Sequence, residues 1–336
     1  MAQVLGDPVT APPTDGITRV RWSPSSSNTL LASSWDGTAR LYDAGGAPRG
    51  VFVHPAPLLD CAFERDGAFY TGGLDCRVTR VDATTSQQQV LGAHTAPIKC
   101  VEWLESRGLL ATASWDMTLR LWDPRAPPGA ANVGAAALPG KAYTLAAGGR
   151  HLVVGTSARH VWIYDIERLE LGEASQTRES SLKYQTRCVA AHPGGYALGS
   201  VEGRVAMEYF DTSPDAQRGK YAFKCHRRNE GGRDTAYPVH AAAFHPAHGT
   251  FATGGGDGAV CIWDGANKKR LFQIAPYPTS ISSLAFSADG HLLAAAASYA
   301  FERGEAGGAG APGDQIFVRK VADAEVRPKP RAQAAA

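Results

Sequence analysis

Residues 109–123, LLATASWDMTLRLWD, decide the fold, because they hold nearly all that one repeating unit of this chain needs. An apolar run ends in small residues, a turn carries Asp116, and a second alternating run closes on Trp122 and Asp123. Alternation of period two on either side of a turn reads as paired antiparallel strands. Working outward, the phrase returns as LLASSWDGTARLYD at 30–43 and TFATGGGDGAVCIWD at 250–264. Weaker copies are AFYTGGLDCRVTRVD at 68–82, HLVVGTSARHVWIYD at 151–165 and YALGSVEGRVAMEYFD at 196–211. A seventh copy begins at His291, its turn expanded into the Gly- and Ala-rich stretch FERGEAGGAGAPGDQ, 301–315.

The closing residues Asp43, Asp82, Asp123, Asp165, Asp211 and Asp264 fall 39, 41, 42, 46 and 53 residues apart. That period is one four-stranded blade, and it excludes the shorter helical repeats. Further apolar strands precede the copies: ITRVRWSP, LLDCAFERDG, IKCVEW, TRCVAAHP, VHAAAFHP and ISSLAFSADG. The predicted fold is therefore all-β, a seven-bladed β-propeller, whose ring closure leaves only short, protected sheet edges. Closure needs one more strand, since the seventh unit lacks an outer strand after Val321 and the residues before Ile17 are otherwise unused. A stretch of about Gln3 to Leu5 is expected to supply it. The propeller spans 1–325 as a single domain, and VRPKPRAQAAA, 326–336, is expected to be a disordered basic and Ala-rich tail.

Hydrophobic residues make up 44% of the 336 and charged residues 20%, which suits a chain that buries a large core. A formal net charge of +2 argues against wholesale binding of polyanions, while leaving room for a local basic patch. Six cysteines lie scattered without a CxxC pair, and they read as buried thiols of a reducing compartment, not as disulfides or zinc ligands. The N-terminus lacks a basic region followed by an apolar run, and no eighteen apolar residues run together. A soluble intracellular protein is expected.

The Asp of the turn has a structural use. It accepts bonds from turn amides and from a His or Ser/Thr on neighbouring strands, pinning the blade through a buried polar cluster. In the third unit, His94, Thr112 or Ser114, Asp116 and Trp122 are the candidates. That use outweighs a catalytic reading of the same residue types. Gly-rich phosphate loops ahead of helices, metal-ligand spacings and nucleophile motifs are all missing, so neither an enzyme nor a cofactor is expected.

In a propeller, the turn between the second and third strands and the start of the first strand reach the same face. Position by position, the turns contribute Trp35 and Trp115, the start of the third strand Arg77 and Arg204, and the start of the first strand Lys99 and Arg187. Arg204 stands where Thr38 and Thr118 stand in other copies. Arg offers a planar fork for carboxylate or phosphate, and exposed Trp is a common anchor for peptides. Each of these residues alone also reads as a solvated rim charge or a blade packer; their expected collection on one face is what points to binding.

The repeat resembles the WD-repeat superfamily. Beyond it, ESSLKYQTRCV (179–189), EGRVAMEYFD (202–211), KYAFKCHR (220–227), YPVHAAAFHP (237–246), FATGGGDG (251–258), NKKRLFQ (267–273) and YPTSISSLAFS (277–287) closely resemble the mitotic spindle-checkpoint propeller of the Bub family. A paralogue, the Rae/Gle nuclear-pore RNA-export propeller, shares EGRVA and FKCHR, whereas KYQTR, EYFD, KKRL and YPTSI favour the checkpoint family. The resemblance implies a non-enzymatic adaptor found in the nucleus, the cytoplasm and, in mitosis, at kinetochores. It would act as a monomeric propeller within hetero-complexes, with no small-molecule, membrane or nucleic-acid ligand. Its implied partners are GLEBS segments of checkpoint kinases or BubR-type proteins, and phosphorylated Met-Glu-Leu-Thr repeats of the kinetochore scaffold. By the same resemblance, Arg204 and Lys224 form the phosphothreonine clamp and Arg187 meets acidic residues of the partner segment. Trp35, Trp115, Arg77 and Lys99 join the partner-binding set from the positional argument above. CHRRNEGGRD (225–234) and the seventh-unit insert depart from the family and put peripheral contacts in doubt.

Overall fold

A computed structural model describes residues 5–127, 129–302, 304–305 and 310–330. Seven four-stranded antiparallel sheets follow one another round a ring, forming the seven-bladed propeller. The first blade contains Ile17–Trp22, Thr29–Ser34, Thr38–Asp43 and Pro48–Val53, and the pattern repeats to the seventh, Ile281–Phe286, Leu292–Ala297 and Gln315–Lys320. Between blades five and six, a two-stranded hairpin, Arg227–Glu230 with Arg233–Ala236, stands outside the blades.

The small residues that end each second strand are set by the next blade. A Cβ on Gly72 would meet Ile98 Cγ2 at 2.6 Å, and one on Gly254 would meet Ile281 Cγ2 at 2.3 Å. Neighbouring first strands press their β-branched side chains into these gaps, so the core is a series of blade-to-blade seams. The aromatic residues ahead of the closing Asp, among them Tyr42, Trp122 and Tyr164, are wholly buried in these seams. The closing Asp turns the chain toward the outer strand: Asp43 accepts from the amides of Gly45 and Ala47, and Asp165 from that of Glu167.

The expected polar cluster is present in blade three. His94 Nδ1 lies 2.9 Å from Asp116 Oδ2, His94 Nε2 lies 2.7 Å from Thr112 Oγ1, and Trp122 Nε1–H donates to Thr112 Oγ1 at 2.7 Å. Thr112, not Ser114, is the hydroxyl used; Ser114 bonds instead to the carbonyls of Ala96 and Pro97. Because a carboxylate only accepts, the proton sits on His94 Nδ1, Nε2 accepts from Thr112, and Thr112 accepts from Trp122. Blade six repeats the chain with His226, Asp257, Thr253 and Trp263.

Two expectations about the ends are corrected. Among the described residues the closing strand is Asp7–Pro8, pairing with Val318 and Phe317, a few residues beyond the expected stretch. Gln3 and Val4 lie outside the described residues; Leu5 contributes its carbonyl to the Tyr277 hydroxyl at 2.8 Å. Proline is tolerated here because this is an outer strand whose free edge needs no donor. The start of the expected tail is also docked. A short helix, Asp323–Val326, buries Val326 against blade six, whose Thr250 hydroxyl donates to the Val326 carbonyl at 2.7 Å. The Asn267 amide reaches the Lys329 carbonyl at 2.9 Å, and residues 331–336 lie outside the described residues.

Of the cysteines, Cys61, Cys100, Cys188, Cys225 and Cys261 are buried free thiols, while Cys76 is half-buried in a turn at φ 65°. No helix among the described residues is long and apolar enough to cross a membrane.

Candidate functional site

Every blade carries the same irregularity. The second residue of each first strand falls out of the pairing register with the second strand, at Thr18, Leu59, Lys99, Tyr143, Arg187, His240 and Ser282. A bulge re-aims the side chain of its extra residue. All seven line one cavity of about 730 Å³ at the mouth of the central channel. The bulge thus turns seven strand starts into a ring of inward-facing side chains.

Trp35 and Trp115 stand over this ring from the turns of blades one and three, Trp35 with 42% of its surface exposed. Each is tied through its backbone to the residue that precedes its blade's first strand. Trp35 N–H donates to Gly16 O and Trp115 N–H to Pro97 O. The neighbouring carboxylates are also tied down: Asp36 accepts from Thr14, Thr38 and Arg40, and Asp116 from Thr95, Thr118 and His94. Burial alone raises the Asp116 carboxyl, and the hydrogen bonds from Thr118 and Thr95 with the adjoining His94 outweigh it, bringing it down to about 2. Lys99 and Arg187 supply the cavity's positive charge, and neither meets a carboxylate among the described residues. Arg187 donates from Nη2 to His240 Nδ1 at 3.1 Å.

Arg204 and Lys224 form a second place. They are directly opposite on the third and fourth strands of blade five, and neither lines the channel mouth. Gly203, at φ 64°, makes the turn that delivers Arg204; a Cβ there would meet the Cys225 carbonyl oxygen at 2.8 Å. Where Thr38 and Thr118 bond to a turn Asp, blade five has Glu202 in the turn and Arg204 in the strand, with Nε 3.6 Å from Glu202 Oε2. That Nε is buried and makes no hydrogen bond. Lys224 is exposed and pairs with no carboxylate among the described residues. Of the two cations, Arg204 thus lies near a carboxylate without bonding to it through Nε, and Lys224 meets none among the described residues.

The expected residues do not all converge on one place. Trp35, Lys99, Trp115 and Arg187 converge on the channel mouth, whereas Arg204 and Lys224 lie apart on blade five. Arg77 joins neither group; it is exposed at the start of the third strand of blade two, opposite Ala93. First strands line the axis, and third and fourth strands lie progressively outward, so equivalent heights in the repeat are different radii. Sequence reasoning missed Tyr143, because the fourth unit's first strand has no signature, and it missed Phe301 and Glu302 of the seventh-blade insert. Phe301 is 64% exposed at the cavity edge, its ring 5.2 Å from that of Tyr299. The first two arginines of the basic hairpin after blade five are already bonded: Arg227 to Asp234 and to the Glu202 carbonyl, and Arg228 to the Asp257 carbonyl.

Against known families, residues 7–43, 85–123 and 223–264 match the WD domain, G-beta repeat. The chain is 50% identical to "Mitotic checkpoint protein BUB3.1" of Arabidopsis thaliana, covering 97% of this chain and 96% of that protein. It is 43% identical to "Mitotic checkpoint protein bub3" of Dictyostelium discoideum, over 92% of this chain and 93% of the relative. A "Poly(A)+ RNA export protein" of Schizosaccharomyces pombe is 33% identical over 96% of this chain and 92% of its own length.

Proposed function

The chain belongs to the Bub3 family of mitotic checkpoint WD-repeat proteins, and from that premise we propose that it is a non-enzymatic adaptor with two separate peptide sites. One site, Arg204 with Lys224, reads a phosphorylated Met-Glu-Leu-Thr repeat of the kinetochore scaffold. The other, the channel mouth, takes a GLEBS segment of a checkpoint kinase or BubR-type protein between Trp35, Trp115, Lys99 and Arg187. Binding both recruits the checkpoint protein to the kinetochore from the nuclear and cytoplasmic pool.

The observation that carries this reading is the Arg204–Lys224 pair. Like charges directly opposite on antiparallel strands destabilise the sheet, and here, among the described residues, only Glu202 pairs with either, 3.6 Å from Arg204 Nε. An arriving phosphate dianion relieves that repulsion, with Arg204 as a directional fork and Lys224 as a point charge. Titrating the protein with the Met-Glu-Leu-Thr peptide, phosphorylated and unphosphorylated, tests it. The phosphopeptide should bind about ten- to a hundredfold more tightly, the worth of one or two charged hydrogen bonds. Equal affinities would remove the site.

The relationship to the RNA-export relative supports a second reading, in which the channel mouth holds a nucleoporin segment. Partners captured from mitotic and interphase extracts separate the two: checkpoint kinases in the first case, nucleoporins in the second.

A further inference from the structure

Blades one and three place Trp35 and Trp115 in the turn before the conserved-geometry Asp, but blade six has Gly256 there. That vacancy on blade six is filled from the neighbouring blade. Glu302, in the seventh-blade insert, lies with Oε1 where a Cβ on Gly256 would be 2.7 Å away. The same oxygen is 2.7 Å from His240 Nε2, and His240 Nδ1 receives the Arg187 guanidinium at 3.1 Å. Three blades are thus joined in one line at the cavity rim: Arg187 from five, His240 from six, Glu302 from seven.

The line has one consistent polarity. A guanidinium can only donate, so His240 Nδ1 is the acceptor; Nε2 then carries the proton and donates to the Glu302 carboxylate. The imidazole is neutral, as its geometry requires, and its side chain is 5% exposed. Burial lowers its pKa, with Arg187 and His226 acting in the same direction against Glu302. A protonated His240 would turn an N–H toward the guanidinium, donor against donor. Arg187, by contrast, is an exposed side chain whose outer N–H groups face the cavity. An exposed Arg samples many rotamers, and holding one N–H removes much of that freedom before a partner arrives.

We propose that Glu302 and His240 are positioning residues for the channel-mouth site: they hold the Arg187 fork toward an acidic side chain of the bound segment, so the seventh-blade insert helps select the partner. This rests on the reading of the channel mouth as a peptide site. A second carboxylate brought by the ligand would meet a guanidinium already aimed by the first, and acidic segments gain over neutral ones.

A double-mutant cycle tests it, measuring the affinity of a synthetic acidic GLEBS-type peptide by fluorescence anisotropy. Glu302→Ala should weaken binding about tenfold, and Glu302→Gln, whose amide oxygen still accepts from His240, should restore it to within about threefold. Gly256→Ala, which displaces the Glu302 carboxylate without altering a charge, should weaken binding like Glu302→Ala. In an Arg187→Ala background, Glu302→Ala should have no further effect, whereas a merely structural role would add its loss there too. Wild-type affinity in Glu302→Ala, or full additivity with Arg187→Ala, overturns the positioning role while leaving the site standing. Failure of the wild-type protein to bind the peptide overturns the site and the positioning role together.

Discussion

At the scale of single residues, the buried cluster of blade three makes a sharp prediction. Thr112 is the hinge between two donors and acceptors, taking the Trp122 N–H and bonding His94. Thr112→Val preserves shape and removes the hydroxyl, leaving Trp122 Nε1 and His94 Nε2 buried without partners. The expected cost is about 2–4 kcal/mol in denaturant unfolding, against well under 1 kcal/mol for exposed Arg77→Ala. The residues of this cluster were legible from sequence because His, Thr, Asp and Trp recur at fixed places in a repeat. The choice of Thr112 over Ser114 was not, since adjacent hydroxyls on one strand end differ only in which way the chain carries them. Arg204 was legible as an anomaly for the same reason that its meaning was incomplete: the repeat marks the missing Thr but not the Glu202 that accompanies it.

At the scale of elements, two features govern the site: the bulges and the ends. The bulged positions of six blades could be aligned because their first strands carry recognisable apolar patterns. Tyr143 escaped because the fourth unit begins in AYTLAAG, whose small residues give no frame. The closing strand was foreseen from the count of strands and misplaced within the N-terminus, because a two-residue strand containing Pro8 has no periodicity to read. Its contribution is nevertheless distributed. Val9 is buried and its N–H bonds to the Ile316 carbonyl, Leu5 accepts from Tyr277, and the Ala11 carbonyl accepts from Tyr42 and Arg40. Removal of residues 1–12 should therefore lower the melting temperature by several degrees and expose the outer edge of blade seven. An unchanged transition would deny that this segment closes the ring. The docked helix predicts a smaller effect: Val326→Ala should cost about 1–2 kcal/mol, the loss of two methyl groups from a buried contact.

At the scale of the whole molecule, burial of histidine ties stability to pH. His54, His94, His151, His192, His240 and His245 all have pKa values pushed below the ordinary value by burial. Below about pH 6.5 the unfolded chain takes up protons that the folded chain resists, so folding becomes less favourable as pH falls. A second loss follows below about pH 4, where Asp36, Asp116 and Asp257, held ionised in the folded state, must accept protons. The melting temperature should decline from pH 7 to 5 and again below 4; a flat profile from 7 to 5 would contradict the neutral state of these histidines.

The molecule-wide arrangement also separates what a linear alignment joins. Residues at one height in the repeat divide by radius into an axial aromatic and cationic mouth and an outlying cation pair on blade five. On the proposed assignment, the separation would let both peptides be held at once. The most direct measurement is calorimetry of Arg204→Glu against both ligands. The two-site account predicts undetectable binding of the phosphorylated Met-Glu-Leu-Thr peptide, with GLEBS-type affinity within about twofold of wild type and an unchanged melting temperature. Wild-type affinity for the phosphopeptide, or parallel loss of both ligands in the folded variant, would contradict it.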